Sequence, residues 1–267
     1  MNKRKIILDC DPGHDDAVAI ILAAKNPNLE LLGITVVAGN QTLENTQRNA
    51  LHLVQHLDLN LPVYAGCGQP MVRDKVIAGD IHGETGLDGP VFEKLNREIE
   101  ADHAVNYIIK TLMNSPEKIT VVTTCPMTNL GMALRMEPKI VNKIQEIVFM
   151  GGSYANGNVT PAAEFNILAD AEAAHVCISS GLPITMVGLD VTRKALCYPE
   201  IVERMRKVGN KASDLFTDLM AFFCKTQKEV YGWEGGPLHD PITISDYKAH
   251  ECDSGHIQFS VLWQNQL

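Results

Sequence analysis

The chain has 267 residues, which is long enough for one large α/β domain or two small ones. Hydrophobic residues make up 45% and charged residues 21% of it, so an ordinary globular core is expected and disorder is not. Acidic residues outnumber basic ones by 32 to 23, for a net charge of −9, which argues against nucleic acid as a partner.

At the N-terminus, a basic head is followed by the apolar run Ile6-Ile7-Leu8, which stops at Asp9. A secretory signal needs a longer apolar stretch, and no later segment reaches the apolar length of a membrane span. The seven cysteines are scattered without Cys-x-x-Cys spacing, as is typical of reduced thiols. These patterns predict a cytoplasmic protein with no membrane partner.

Strand-like and helix-like segments alternate along the chain, which is typical of a parallel α/β sheet. The predicted strands are residues 6–9, 29–37, Ile119–Thr123, 146–150 and Ile184–Val187. The predicted helices are residues 16–25, 42–57, 102–113, Thr128–Met136 and 171–180, followed by two helices within residues 199–231. Thr42 and Asp102 are the predicted N-caps of their helices. We expect a single domain with a mostly parallel central sheet flanked by helices.

A long segment between residues 64 and 102 contains glycine, proline and charged residues with little periodicity. Segments of that length in a compact fold are usually functional loops. The polar residues of interest also cluster where predicted strands end, which is where open parallel sheets bind ligands. We therefore expect a ligand site at the carboxyl edge of the sheet.

The strongest local signal follows the first strand, where four aspartates stand within eight residues: Asp9, Asp11, Asp15 and Asp16. The dipeptide Pro12-Gly13 predicts a turn that brings the last two back toward Asp11. Aspartate is favoured near a helix N-terminus, and capping would explain one or two of the four. Capping explains four poorly, because like charges packed together repel. A bound cation removes that repulsion, and all-oxygen ligation indicates Ca²⁺ or Mg²⁺.

A second carboxylate stands late in the chain, in Pro237-Leu238-His239-Asp240-Pro241. Asp240 could complete an oxygen cage around the cation, and His239 beside it could act as a general acid. A His-Asp pair on its own is equally typical of a surface or of a helix cap. The role of the pair depends on its being brought to the first cluster.

Residues 9–16, Asp-Cys-Asp-Pro-Gly-His-Asp-Asp, resemble the N-terminal motif of the inosine–uridine-preferring nucleoside hydrolase family. Further family motifs follow in order: Val37-Ala38-Gly39-Asn40, residues 82–87 (His-Gly-Glu-Thr-Gly-Leu), Pro126-Met127-Thr128-Asn129, Phe149-Met150-Gly151-Gly152, Ala163-Glu164-Phe165-Asn166 and His239-Asp240-Pro241. The resemblance covers residues 5–244 and is closest to the bacterial pyrimidine-specific ribonucleoside hydrolases. It implies a Rossmann-like fold, dependence on Ca²⁺, a homotetramer and a place in nucleoside salvage.

The resemblance also implies roles for individual residues. Asp11 resembles the general base, and the implied calcium ligands are Asp11, Asp16, Asp240 and the backbone carbonyl of Thr124. The implied ribose-binding residues are Asp15, Asn40, Asn158, Glu164 and Asn166, with Met150 packed beside them. His239 resembles the acid that assists departure of the base. The implied base-side and pyrimidine-selective residues are His82, Gln227 and Tyr231.

These residue types suit the chemistry that the family performs, which is hydrolysis of the N-glycosidic bond of ribonucleosides to free base and ribose. Cleavage develops positive charge on the ribose, as in other glycosyl transfers. Carboxylates and amide oxygens around the sugar stabilise that charge more than the neutral ground state. A calcium-bound water activated by aspartate would be the nucleophile, and an acid would protonate the leaving base.

Several of these residues also have purely structural interpretations. Asn40 and Asn158 are typical of turns, Glu164 and Asn166 could cap the following helix, and Gln227 and Tyr231, four residues apart, could be a surface pair on a helix. For Asn40, Asn158, Glu164 and Asn166, each structural interpretation would prevail for a single residue, and the ordered set favours the functional one. For Gln227 and Tyr231 the surface pair stays an open alternative. For His14 we expect a position in the loop without a role.

The chain departs from the family pattern in two places. The family usually has glycine where this chain has Cys125, and a side chain there would disturb the approach to calcium if the position needs positive φ. Residues 245–267 fit neither the family nor a clean period. We interpret residues 1–244 as a hydrolase domain that lacks a C-terminal strand and closing helix, and residues 245–267 as a divergent, non-native tail.

Two alternatives stay open at this point. A catalytically impaired remnant of a nucleoside hydrolase would keep the same residues and still bind ribose or calcium. An aspartate-nucleophile phosphohydrolase would also place Asp-x-Asp at a strand end. That class needs a small hydroxyl residue after the second aspartate, which Pro12-Gly13 does not supply.

Overall fold

The structure, a computed structural model, describes residues 3–245. Its strands are β1 (Arg4–Cys10), β2 (Leu29–Val36), β3 (Val63–Ala65), β4 (Ile119–Thr123), β5 (Ile144–Met150), β6 (Ile184–Val187), β7 (Leu196–Cys197) and β8 (Gly236–Pro237). Its helices are α1 (His14–Lys25), α2 (Leu43–His56), α3 (Gly79–His82), α4 (Ala104–Asn114), α5 (Thr128–Met136), α6 (Phe165–Ala169), α7 (Ala171–Ile178), α8 (Leu189–Thr192), α9 (Pro199–Arg206), α10 (Lys211–Tyr231) and α11 (Pro241–Ser245). A 3₁₀ helix, Pro138–Lys143, lies between α5 and β5.

Six strands form one parallel sheet in the order β3-β2-β1-β4-β5-β6, and β7 pairs with β8 in a separate antiparallel ribbon. Parallel strands with both faces covered are expected to be apolar throughout. The central strand β1 fits that rule, since its run Ile6-Ile7-Leu8 is fully buried. The predicted single domain with a mostly parallel sheet flanked by helices is confirmed.

The two faces of the sheet carry two separate hydrophobic cores. Successive side chains of a strand point to opposite faces, so Ile6 and Leu8 lie in one core and Ile7 lies in the other. The first core is closed mainly by α1, α2 and α10, and the second by α4, α5 and α7. Helices on both faces leave only the ends of the strands for a ligand.

The main predicted elements are present, with corrections at their ends. The two helices predicted within residues 199–231 are α9 and α10, whereas the short strand β3 lies in the segment expected to be only loop. The prediction of Asp102 as an N-cap is wrong. The ring of His103 accepts the N–H of Val105 at 3.2 Å, and Asp102 pairs instead with Lys110 at 2.7 Å.

The predicted tail, residues 245–267, lies outside the described residues except for Ser245, the last residue of α11. The boundary at residue 244 and the missing C-terminal strand and helix therefore stay predictions. Among residues 3–245, no helix combines the length and the hydropathy required to cross a bilayer. All six cysteines in that part of the chain are free thiols, as expected.

Candidate active site

The site lies where the strand order of the sheet reverses. From β1 the chain proceeds outward to β2 and β3, and then returns to the other side of β1 to lay down β4, β5 and β6. The loops after β1 and β4 therefore diverge and leave a crevice between their carboxyl ends. Asp11 follows β1 and Thr124 follows β4, so the sheet itself brings these two predicted residues together.

The aspartates of the first loop are held in a dense network of donors. The N–H of Asn40 donates to Asp11 Oδ2 at 2.6 Å, and the Asn40 amide reaches Asp16 Oδ2 at 3.2 Å. Asp16 also accepts the Gly13 N–H at 3.0 Å and the Thr124 hydroxyl at 2.7 Å. The capping interpretation is thus true of Asp16, which closes the first turn of α1. It does not account for its buried neighbours.

Asp240 joins this cluster from the other end of the chain. It stands between β8 and α11, and α11 packs against α1, the helix that carries Asp15 and Asp16. Carboxylate oxygens of Asp15, Asp16 and Asp240 all lie within 4.8 Å of one another, and all three side chains are buried. Asp240 of the late His-Asp pair is therefore part of the first cluster.

Burial and mutual repulsion make the ionised form of the clustered carboxylates unfavourable unless a cation binds there. Burial and the neighbouring Asp16 raise the pKa of Asp15 to about 7. Burial and the other aspartates also raise the pKa of Asp11 and Asp240 well above the usual range. One oxygen, Asp11 Oδ1, is buried without a hydrogen-bond partner within residues 3–245. These are the conditions that a bound cation relieves.

The donor set fits a hard cation such as Ca²⁺. Every side chain in the cluster offers oxygen, and Ca²⁺ takes six to eight oxygen ligands from carboxylates and carbonyls. The Thr124 carbonyl accepts the Asn166 amide at 3.1 Å and retains a second lone pair. Of the ligands that the family resemblance implies, Asp16 and Asp240 belong to the group whose carboxylate oxygens lie within 4.8 Å of one another, whereas Asp11 does not. The structure adds Asp15 to the group.

A cavity of about 650 Å³ opens beside the acidic cluster, which is within the range of small-molecule sites. All the predicted site residues except Asp11 and Asp16 line it. These lining residues are Asp15, Asn40, His82, Thr124, Met150, Asn158, Glu164, Asn166, Gln227, Tyr231, His239 and Asp240. Their sequence positions span most of the chain, and the fold gathers them around one space.

The residues for which a turn or a helix cap was the alternative interpretation make such local hydrogen bonds and also line the cavity. Glu164 is the N-cap of α6, and its carboxylate accepts the N–H groups of Asn166 and Ile167 at 2.9 and 3.1 Å. Asn158 accepts the N–H of Phe165 at 2.9 Å, which is a turn contact. Asn166 uses its amide to bind the carbonyls of Thr124 and Met150. Their local bonds hold these side chains at the cavity wall.

The cavity is also lined from α10, α3 and the loop before α11. Gln227 is buried with its Oε1 unpartnered in the described part of the chain, whereas Tyr231 is 46% exposed. Nδ1 of His239 lies 2.7 Å from the Thr192 hydroxyl. Burial lowers the pKa of His239 to about 4 and that of His82 well below the usual range, so both rings are neutral at pH 7. The surface-pair interpretation fails for Gln227 because its side chain is buried.

Sequence reasoning missed several residues of the cavity lining. Phe223 lines the cavity from α10, four residues before Gln227, and this helical spacing was a usable signal. Arg193 lines it as well and donates to the carbonyls of Asn156 and Gly157 at 3.1 and 2.7 Å. The expectation for His14 is wrong, since it is fully buried as the first residue of α1 and contacts His82.

Cys125 does not occupy a position with positive φ, which was the condition under which its side chain would disturb the approach to calcium. In the described part of the chain, Asp58 is the only non-glycine residue with positive φ, so Cys125 has an ordinary backbone conformation. Its side chain is fully buried near Asp9, whose pKa burial raises to about 6. The position accommodates a side chain without moving the Thr124 carbonyl out of the crevice.

Comparisons with known proteins identify the family of this chain. A family profile described as inosine-uridine preferring nucleoside hydrolase matches residues 6–253. The pyrimidine-specific ribonucleoside hydrolases RihB of Escherichia coli K12 and Shigella flexneri are each 57% identical over 244 residues, which cover 91% of this chain and 78% of the relative.

Solved structures are similar over the same part of the chain. A purine-preferring ribonucleoside hydrolase from Gardnerella vaginalis superposes with a TM-score of 0.87 at 35% identity, over 91% of this chain and 79% of that one. A plant nucleoside hydrolase, PpNRh1, gives a TM-score of 0.86 at 33% identity, over 91% and 78%. This chain therefore belongs to the inosine-uridine preferring nucleoside hydrolase family and is a ribonucleoside hydrolase, an N-glycosidase.

Proposed function

We propose that this enzyme hydrolyses pyrimidine ribonucleosides, uridine and cytidine, with Ca²⁺ as its cofactor. The observation that carries the proposal is the lining of the cavity, which combines a buried acidic cluster with neutral imidazole and amide groups. A ribonucleoside has the matching polarity, with a hydroxyl-rich sugar that becomes cationic and a base with hydrogen-bonding edges.

The residues that would hold the cation are Asp11, Asp16, Asp240 and the Thr124 carbonyl, with Asp15 beside them. When bound, Ca²⁺ supplies Lewis acidity toward the ribose hydroxyls and water. Each carboxylate would then be ionised, because the cation reverses the effect of burial on its pKa. The protein contributes the rigid oxygen cage and excludes bulk solvent from it.

Asp11 is the residue best placed to act as the general base. Its Oδ2 is fixed by the Asn40 N–H at 2.6 Å, while Oδ1 has no partner in residues 3–245 and can accept a proton from the attacking water. The restraint on one oxygen orients the other. A general base must be ionised and correctly oriented, and the hydrogen bond from the Asn40 N–H provides the orientation.

The ribose would lie among Asp15, Asn40, Glu164 and Asn166. Cleavage generates positive charge on the sugar, and these side chains present oxygens that are already oriented by hydrogen bonds to the backbone. Because little reorientation is needed, their stabilisation is larger for the charged transition state than for the neutral nucleoside. Met150 closes the apolar face of the sugar.

The leaving base would meet His239, Gln227 and Tyr231. His239 is neutral in the free protein, so it offers the departing base an N–H hydrogen bond and not a resting imidazolium. If the Thr192 hydroxyl donates to Nδ1, the proton of the ring lies on Nε2. The charge that accumulates on the base is thus met by a directed donor.

The pyrimidine preference is supported by the relatives named pyrimidine-specific, at 57% identity, against 35% for the purine-preferring enzyme. The test is release of ribose from uridine, cytidine, inosine and adenosine, with calcium present and after chelation. We expect kcat/KM for uridine to exceed that for inosine by roughly tenfold or more. Faster cleavage of inosine would overturn the preference, undiminished turnover in chelator would overturn the cofactor, and no ribose from any nucleoside would overturn the function.

A further inference from the structure

One buried histidine near the cavity has no part in the chemistry described so far. His14 begins α1, is fully buried and lies among aromatic rings, with centroid distances of 5.5 Å to His82, 5.2 Å to Phe222 and 5.3 Å to Phe223. It does not line the cavity, but His82, on which it stacks, does. Two hydrogen bonds of the His14 ring connect the main chain at Asp88 with His82 in the cavity wall.

The first bond determines where the His14 proton sits. Nε2 of His14 lies 2.7 Å from the carbonyl oxygen of Asp88. A carbonyl can only accept, so Nε2 must carry the hydrogen. A second proton on Nδ1 would place a positive charge in a fully buried stack of rings, which is unfavourable without a paired anion. Nδ1 of His14 is therefore a lone pair.

The second hydrogen bond determines which ring nitrogen of His82 carries the hydrogen. The Nδ1 atoms of His14 and His82 are 3.2 Å apart. Two lone pairs at that distance would repel, so the hydrogen between them belongs to Nδ1 of His82. The backbone N–H of His14 also points at this atom, but at 3.5 Å it is the longer and weaker contact. The ring hydrogen bond prevails.

We propose that His14 is a positioning residue that holds His82 in the Nδ1–H tautomer, so that His82 Nε2 accepts an N–H group of the nucleobase. Within residues 3–245, the hydrogen bonds of the His82 ring are confined to Nδ1, and the ring lines the cavity, so Nε2 is left for a ligand. The proposal rests on the proposed function only for the identity of that ligand. On uracil the N–H is N3–H, and on cytosine it is the 4-amino group.

The tautomer can be read directly by NMR of the full chain labelled with ¹⁵N in its histidine rings, without substrate. Protonated and unprotonated ring nitrogens are well separated in ¹⁵N shift. The expected spectrum has His82 protonated at Nδ1 and His14 at Nε2. Protonation of His82 at Nε2, or at both nitrogens, at neutral pH would overturn the proposal whether or not the protein cleaves nucleosides.

Two variants test the link between the residues. His14→Phe keeps a stacked ring but removes the acceptor, so His82 should shift toward the Nε2–H tautomer. His14→Asn places an amide oxygen near the former Nδ1 and should restore the wild-type tautomer of His82. A purely structural role for His14 would give the same His82 spectrum in all folded variants, and that result would contradict the proposal.

The kinetic counterpart uses uridine and 3-methyluridine, which lacks N3–H. Loss of one hydrogen bond to the base should lower kcat/KM for uridine about tenfold in His14→Phe, mainly through KM, with recovery in His14→Asn. The preference of the wild type for uridine over 3-methyluridine should shrink by the same factor in His14→Phe, since the methyl group is equally bulky in both. An unchanged preference would overturn the assigned ligand contact, whereas absence of all ribose release would overturn the proposed function and leave the tautomer result intact.

Discussion

At the scale of single residues, the carboxylates of the site are aimed by groups that are themselves constrained. Asp11 is held by the main chain at Asn40, and Asp16 by the main chain at Gly13 and by the Thr124 hydroxyl. Main-chain donors cannot rotate away, so they fix the oxygens more firmly than flexible side chains could. The orientation of the functional carboxylates therefore depends on the main chain around them.

Asp11→Asn should retain the fold and lose activity. The amide cannot act as a base, and removal of general-base catalysis typically costs roughly 10²- to 10⁴-fold. Turnover of uridine measures the loss, and a thermal melt confirms folding. Asp58→Asn, at an exposed position with φ of 51° that asparagine tolerates, is the matched control and should leave turnover unchanged. A loss below about tenfold in the Asp11 variant would exclude it as the base.

Gly39→Ala should displace the carboxylate of Asp11 without changing that residue itself. A Cβ at Gly39 would overlap the carboxylate of Asp11, so that side chain would have to leave its position. We expect a drop in uridine turnover of about 10²-fold, comparable with loss of the base itself. Gly68→Ala is the control, because its Cβ would meet Leu43 at 3.7 Å, an ordinary contact. Equal activity of the two variants would mean that Asp11 needs no fixed position.

The environment of His14 could not be predicted from the sequence. The motif around Asp11, Asp15 and Asp16 is local, and its residue types predict a cation site directly. The environment of His14 comes from Asp88 and from α10, and nothing in the local pattern indicates those partners. A side chain whose role depends on contacts distant in sequence cannot be assigned from spacing alone.

At the scale of elements, apolar runs predicted the strands well because a parallel strand is buried on both faces. The ends of elements were less predictable. Asp102 has the residue type of an N-cap, yet His103 caps α4, because a one-residue shift changes which side chain reaches the free N–H groups. The ribbon of β7 and β8 has two residues in each strand, too few for a period to be detected.

Asn129 connects α5 to the sheet and the loop after β3 through three hydrogen bonds, and this connection can be tested. The Asn129 amide donates to Asp9 Oδ1 at 2.8 Å and to the Val36 carbonyl at 3.1 Å, and its oxygen accepts the Cys67 N–H at 2.9 Å. Asn129→Ala leaves the Cys67 N–H without its acceptor, while Asp9 Oδ1 keeps the Thr35 hydroxyl and the Val36 carbonyl keeps the Gly66 N–H. Loss of these three hydrogen bonds, one of them to a carboxylate, should reduce the free energy of unfolding by about 2–3 kcal/mol.

Denaturant unfolding measures that change. Asn114→Ala, the same substitution at an exposed position at the end of α4, is the control and should change stability by about 0.5 kcal/mol or less. A similar small effect at Asn129 would show that water replaces the lost hydrogen bonds.

At the scale of the whole molecule, the proposed calcium site would couple stability to calcium. A ligand at a hundredfold excess over its Kd stabilises the folded state by about 2.7 kcal/mol, which corresponds to a rise in Tm of about 5–10 °C. We expect that rise on adding Ca²⁺ to chelator-treated protein. Asp16→Asn removes one charge of the cage and should not respond. An equal rise in the variant would place the effect elsewhere on the protein.

The same coupling predicts a dependence on pH. Folding raises the pKa of Asp9 from 3.8 to about 6 and that of Asp15 from 3.8 to about 7. The folded state thus holds more protons than the unfolded state, so the metal-free protein loses stability as pH rises between these values. Calcium requires ionised ligands and has the opposite dependence. The gap in Tm between calcium and chelator should therefore be wider at pH 8 than at pH 5, and a constant gap would contradict this account.

Two further expectations also belong to the whole molecule. The homotetramer implied by the family resemblance and the cytoplasmic location stay predictions. Light scattering of the purified chain checks the first, and fractionation of cells that express it checks the second.

The crevice between β1 and β4 also bears on how the protein is made. A ribosome delivers the aspartates of residues 11–16 early, but Asp240, their neighbour in space, emerges only after every strand of the main sheet has been synthesised. The nascent chain must therefore tolerate a concentrated negative charge without the cage that neutralises it. The proposed calcium site would be complete only once α11 has docked on α1, so calcium binding would follow the synthesis of the whole main sheet.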